Sequence, residues 1–150
     1  MTNSYIHLPM SEQNVAATPL APSARDHLLS LARQAEARAY APYSKFHVGA
    51  AILLTDGRTF TGCNVENASY GLTNCAERTA IFRAIAESDL PIRIAAVAVT
   101  NASNVHCPPC GACRQVIAEF SSPETQVFYQ GASGTTTFLM RDLLPDSFRL

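Results

Sequence analysis

In the stretch ARDHLLSLARQAEARAY, apolar Leu28, Leu31, Ala32 and Ala35 recur at helical spacing. The pattern predicts a helix that Ser23 caps and that runs to about Tyr40, with Pro42 ending it. The period then changes. Two β-rich runs, FHVGAAILLT (46–55) and RTFTGCNVE (58–66), enclose Asp56-Gly57, a combination that predicts a hairpin. Asn67 to Gly71 reads as loop. A second helix is expected to start near Asn74 or Cys75, capped by Thr73 or Asn74, and to run through CAERTAIFRAIAES. The segment IRIAAVAVT (92–100) is apolar almost throughout, which predicts a central strand buried on both faces. After a loop to Pro109, Cys110 opens a third helix, CGACRQVIAEF. Two short strands, TQVFY and TTTFL, flank Gly131 and Gly134, and a last helix, MRDLL, stops at Pro145. The order α-β-β-α-β-α-β-β-α predicts an α/β fold, a mixed sheet with helices packed on its faces.

The chain has 150 residues, which fits one domain over 21–150 preceded by a poorly ordered tail over 1–20. It is 47% hydrophobic and 15% charged, a low charge content that hints at surface covered by another subunit. With 11 Lys and Arg against 12 Asp and Glu, nothing argues for a nucleic-acid groove or an anionic membrane surface. The N-terminal residues carry no basic region followed by a long apolar run, so no secretory signal is expected. No stretch approaches the roughly 18 apolar residues of a membrane span. Five cysteines without an export signal suggest reduced thiols with metal or catalytic roles, in a cytoplasmic protein.

Three of those cysteines, Cys107, Cys110 and Cys113, stand in VHCPPCGACRQ, and a fourth, Cys75, in NCAERT. An iron–sulfur site would want a cysteine four residues after Cys113, where Ile117 stands. Cys110-Gly-Ala-Cys113 has the form of a redox pair at a helix start. A closed structural zinc site could use Cys75, Cys107, Cys110 and Cys113, although Pro108-Pro109 stiffens the approach of Cys107. An open zinc site would use Cys75, Cys110 and Cys113 and leave the fourth position for water. Glu77 discriminates. It lies two residues after Cys75 on the same first helical turn, where a hydrolytic site needs a proton carrier and a structural site does not. A lone first-turn glutamate is ordinarily a dipole effect, but the combination of CAE with PCxxC is far more specific. Three thiolates and Zn²⁺ sum to a negative charge, which two helix N-termini of about half an elementary charge each would offset. Arg78 and Arg114 could add hydrogen bonds to sulfur.

At CAERTA (75–80) and PCGACRQ (109–115) the chain closely resembles the small homotetrameric cytidine deaminases, in which the first metal ligand is cysteine. YSKFHVGAA (43–51) resembles that family's first strand, whose phenylalanine packs on the pyrimidine, here Phe46; His47 departs from the proline common there. GCNVENA (62–68) resembles the segment whose Asn and Glu bind the ribose hydroxyls, here Asn64 and Glu66, and their i, i+2 spacing puts both on one face of a strand. LLPDSF (143–148) resembles the C-terminal element whose aromatic residue, here Phe148, reaches a neighbouring subunit's site; Tyr70 would likewise contribute across an interface. Cys63 and Cys107 have no role in the family pattern and are read as non-ligands.

The resemblance covers residues 23 to 148 and implies a three-layer α/β/α sandwich with a five-stranded mixed sheet. It further implies a homotetramer with sites at subunit interfaces, one Zn²⁺ per chain, and a small-molecule nucleoside as substrate. The reaction implied is hydrolytic deamination of cytidine and 2′-deoxycytidine to the uridines with release of ammonia, a step of pyrimidine salvage. In it Glu77 carries the protons, and the backbone at Ala76 and Cys110 orients the 4-amino group. The nearest alternative is a deaminase of another amino-pyrimidine nucleoside such as blasticidin S. From a different class, a non-catalytic four-cysteine zinc-binding module would give Glu77 no function.

Overall fold

The computed structural model describes residues 19–89, 91–131 and 133–148, so residues 1–18 of the expected tail lie outside the described residues. Leu20, counted with that tail, is held: its N–H donates to Gln126 Oε1 at 3.1 Å. The elements are α1 (Pro22–Glu36), β1 (Val48–Leu54), β2 (Thr59–Cys63), α2 (Ala76–Ala86), β3 (Ile94–Asn101), α3 (Gly111–Glu119), β4 (Ser121–Gly131), β5 (Gly134–Leu139) and α4 (Met140–Leu143), with a 3-10 turn at Tyr70–Leu72. Among the described residues no helix is long and apolar enough to cross a membrane.

The five strands form one sheet in the order β2-β1-β3-β4-β5. β3 and β4 run parallel and the other neighbours antiparallel, so the sheet is mixed. The parallel pair is joined by α3, as a crossover requires. The period-2 alternation of the central strands divides the core. Ala51, Ala96, Ala98 and Phe128 face α1 through Leu28 and Ala32. Ala50, Ile52, Val97, Val99 and Val127 face the other side, against Ala80, Ile81 and Ile117 of α2 and α3. Helices on both faces complete the three layers. As its apolar run predicts, β3 lies at the centre of the sheet.

Local differences from the sequence reading have identifiable causes. α1 begins at Pro22, whose fixed φ suits a first helical position, so Ser23 lies inside the helix and is not its cap. The helix ends at Glu36, short of Tyr40, because the Tyr40 backbone is drawn into another partnership. Its N–H donates to Asn64 O at 3.0 Å and its carbonyl accepts the Glu66 N–H at 2.8 Å. At the hairpin, Gly57 adopts φ +89°, which explains the Asp-Gly signal. β1 and β2 are each shorter than their β-rich runs, which leaves Phe46, Asn64 and Glu66 just beyond the strand ends.

The register decides where a site can form. Val48 pairs with Asn101 and Gly49 with Cys63, so the start of β1 and the ends of β2 and β3 meet at one end of the sheet. The loops that follow lead into α2 and α3. α2 is seated directly on β2: a Cβ at Gly62 would lie 2.6 Å from Ala76 O and 2.9 Å from the Thr79 carbonyl carbon. Only glycine permits this approach, and it fixes the first turns of α2 over the sheet end.

Candidate active site

Cys75 is the N-cap of α2 and Cys110 the N-cap of α3, both in extended backbone conformation. The expected caps of α2 are engaged elsewhere. Thr73 Oγ1 accepts the Asn67 N–H at 3.1 Å, and Asn74 Nδ2 donates to Thr79 Oγ1 at 3.0 Å while the Asn74 backbone bridges to Val65. Neither helix has a side-chain cap hydrogen bond, so the positive ends of both helix dipoles stand beside the N-cap sulfurs. Cys113, on the first turn of α3, completes the group.

The Cys75 and Cys110 Sγ atoms lie 3.9 Å apart, the Cys110 and Cys113 Sγ atoms 3.4 Å apart, and all three fall within 4.8 Å of one another. Three thiols gathered by two helix starts are the donor set zinc prefers, and Cys110 is exposed, leaving an open side. Cys107 stands outside this group, although Pro109 between it and Cys110 is buried. Its N–H donates to Gln130 O at 3.1 Å, its side chain packs against the core, and burial pushes its thiol up to about 11. Cys63 likewise stands outside the group, donating its thiol to Arg38 O at 3.3 Å.

Without a metal the Cys75 and Cys113 thiols share their protons unevenly. The hydrogen-bonded Cys113 thiol, with Arg78, pulls Cys75 down to about 5. Cys113, on the other side of that hydrogen bond and buried, is pushed far up. Arg78 Nη2 donates to Cys75 Sγ at 3.5 Å and to Thr73 O at 3.3 Å, as expected for a donor to sulfur. Arg114 departs from that expectation. Its Nε donates to Pro109 O at 2.8 Å and its Nη1 to Leu143 O at 2.9 Å, so it braces the loop before Cys110 against the end of α4. Backbone carbonyls within reach of a guanidinium compete effectively with a neutral thiol.

Glu77 is only 4% exposed, on the first turn of α2 behind Cys75. Burial pushes its carboxyl up to about 7, and negative charge on Cys75 adds to the effect. A carboxyl that exchanges its proton near neutral pH suits general acid–base work. The Ala76 backbone at the helix start is fully buried beside it.

Asn64 and Glu66 both turn toward the segment before β1, as their i, i+2 spacing requires. Asn64, 9% exposed, accepts the Val48 N–H at Oδ1 and donates Nδ2 to Phe46 O, each at 2.8 Å. It is therefore a buried clasp on β1, not a residue of a solvated strand face. Glu66 accepts the Tyr43 N–H at 2.9 Å and the Ser44 N–H at 3.2 Å, and also the Ser44 hydroxyl. The Ser44 hydrogen bond, with those backbone donors, holds its carboxyl below the usual range. Phe46 is half-buried against the core. Ser44 was not singled out by the sequence, although a serine two residues before Phe46 is a turn signal. Tyr70 and Phe148 are not drawn into the cysteine group: they are 80% and 68% exposed. The Phe148 carbonyl accepts from Gln115 Nε2 at 3.2 Å, which ties the C-terminal segment to α3.

The family model described as "Cytidine and deoxycytidylate deaminase zinc-binding region" matches residues 22–129. The cytidine deaminase of Halalkalibacterium halodurans is 47% identical over 125 residues, which cover 83% of this chain and 93% of that relative. The 1.6 Å crystal structure of cytidine deaminase from Burkholderia pseudomallei superposes with a TM-score of 0.76 at 48% identity, covering 82% of this chain and 98% of that one. The crystal structure of cytidine deaminase from Mycobacterium tuberculosis gives a TM-score of 0.71 at 42% identity, with 83% and 97% covered. The matched span contains Cys75, Glu77, Cys110 and Cys113, and the chain belongs to the cytidine and deoxycytidylate deaminase family.

Proposed function

We propose that this protein is a zinc-dependent hydrolase that converts cytidine and 2′-deoxycytidine to uridine and 2′-deoxyuridine with release of ammonia, in the cytoplasm, as part of pyrimidine salvage. The observation that carries the reading is Glu77, a buried carboxyl on the first turn of α2 beside three sulfurs within 4.8 Å of one another. A structural metal knot gives such a carboxyl no task. Cys75, Cys110 and Cys113 would hold one zinc ion per chain. When bound, zinc supplies a Lewis acid that makes a water molecule acidic near neutral pH.

The chain's own residues do the rest. Glu77 takes a proton from water and delivers it to N3 of the pyrimidine, which makes C4 more electrophilic. The water oxygen left behind adds to C4. Glu77 then carries the proton of the resulting C4 hydroxyl to the amine, and the C4–N bond breaks as the C4 carbonyl forms, because ammonia leaves far more readily than amide ion. The backbone at Ala76 and Cys110 orients the 4-amino group. Phe46 packs on the pyrimidine, and Asn64 and Glu66 bind the sugar hydroxyls. Arg78 reduces the negative charge on Cys75, and Arg114 acts one step further out by bracing the Pro109 carbonyl.

The single domain over 21–150 assembles as a homotetramer, and the high exposure of Tyr70 and Phe148 supports their completing a neighbouring subunit's site. The reading is tested with Glu77→Gln. The variant is expected to keep its zinc and to lose at least roughly a thousand-fold in kcat, within the range of general acid–base catalysis. A zinc-loaded variant of undiminished activity would contradict the role of Glu77.

A further inference from the structure

Phe46 and Glu66 come from different segments of the chain, and one hydroxyl joins them. Ser44 Oγ donates to Glu66 Oε1 and accepts the Phe46 N–H at 3.0 Å. The loop that presents it is tightly turned: the Lys45 N–H donates to Ala41 O at 3.1 Å, and Lys45 takes a left-handed φ of 59°. A non-glycine residue stays in that region only where its surroundings over-determine it. Here those surroundings are the Glu66 carboxylate, the Ser44 hydroxyl and the Asn64 side chain.

The acceptor places can be counted. A carboxylate offers about four lone-pair sites. The Tyr43 and Ser44 N–H groups share Oε2, and the Ser44 hydroxyl takes one place on Oε1. Among the described residues, one place on Oε1 is left. Asn64 keeps one N–H of its Nδ2 after donating to Phe46 O. A sugar hydroxyl, donor and acceptor at once, matches that remainder.

We propose that Ser44 is a positioning residue of the nucleoside site: its hydroxyl turns Glu66 so that the remaining acceptor meets a sugar hydroxyl. The inference rests on the ribose role proposed above for Glu66. Ser44 is exposed and Glu66 retains two backbone donors without its hydroxyl, so Ser44→Ala is expected to fold and hold zinc.

The test compares the KM and kcat of cytidine with the inhibition constant of 2′,3′-dideoxycytidine, which lacks both secondary sugar hydroxyls. In Ser44→Ala the cytidine KM should rise roughly ten-fold, the cost of one misdirected hydrogen bond. kcat and the dideoxynucleoside constant should stay within about two-fold, a margin of less than 0.5 kcal/mol. Ser44→Thr, which keeps the hydroxyl, should return the cytidine KM to within about three-fold of wild type. An unmoved cytidine KM, an equal rise in both constants, or a threonine variant as impaired as alanine would overturn the proposal. Should Ser44→Ala fail to hold zinc, Ser44→Cys, with its weaker donor, is read by the same criteria. Wild-type protein that turns over no cytidine would overturn the deaminase reading itself, whereas an active wild type with an unaffected Ser44→Ala overturns only the role of Ser44.

Discussion

Replacing Asn64 by alanine removes two hydrogen bonds of 2.8 Å from a side chain that is 9% exposed. One of the stranded groups is the Val48 N–H, at the first residue of β1 and itself buried. The other is the Phe46 carbonyl, beside a half-buried ring that water can approach. Each lost bond is worth about 1 kcal/mol net, and a buried donor left without a partner costs about 1–3 kcal/mol. With the Phe46 carbonyl rehydrated, the sum is about 3 kcal/mol. For a domain of this size that is a fall of roughly 6–12 °C in Tm. The assay is thermal unfolding of the zinc-loaded protein at fixed concentration, with Asn64→Asp alongside. Aspartate keeps an acceptor for Val48 but sets a second acceptor against the Phe46 carbonyl, so it too should fall below wild type. A drop below about 2 °C in Asn64→Ala, under 1 kcal/mol, would refute the claim that Asn64 clasps β1.

Other outcomes follow from the same geometry. In zinc-stripped protein the Glu77 carboxyl is raised from 4.5 to about 7, so its favourable contribution is fully present below pH 4.5 and is lost as pH rises through 7. Relative to Glu77→Gln, stripped wild type should therefore lose about 3 kcal/mol across that window; a pH-independent difference in denaturant unfolding would contradict the burial of Glu77. Gly62→Ala would set a methyl group against the Ala76 carbonyl and the Thr79 backbone, so a loss of about 3 kcal/mol and weakened zinc retention are expected; unchanged zinc content and Tm would show that α2 is not seated on Gly62. Cys107→Ser should keep its zinc, because that sulfur lies outside the three-cysteine group; loss of the metal, measured by elemental analysis, would revive the closed four-cysteine site.

What the sequence shows best is what depends on local pattern. The Asp56-Gly57 hairpin, the buried central strand and the cysteines at two helix starts are each encoded within a few neighbouring residues. What it shows poorly depends on partners distant along the chain. Nothing near Tyr40 announces that its backbone will bond residues 64 and 66, so α1 reads four residues too long. Thr73 and Asn74 are good caps by type, but their side chains serve Asn67 and Thr79, and the cap falls to Cys75. Arg114 lies beside a cysteine in sequence and donates instead to two carbonyls, one of them 29 residues away. The i, i+2 spacing of Asn64 and Glu66 gave their common direction but not their partners in the 43–48 segment.

The most direct measurement is ammonia release and the accompanying absorbance loss with cytidine and 2′-deoxycytidine, on protein of known zinc content. Turnover of both that falls in proportion as zinc is stripped and returns on reloading is the predicted result. No turnover of either nucleoside by protein carrying one zinc per chain would contradict it.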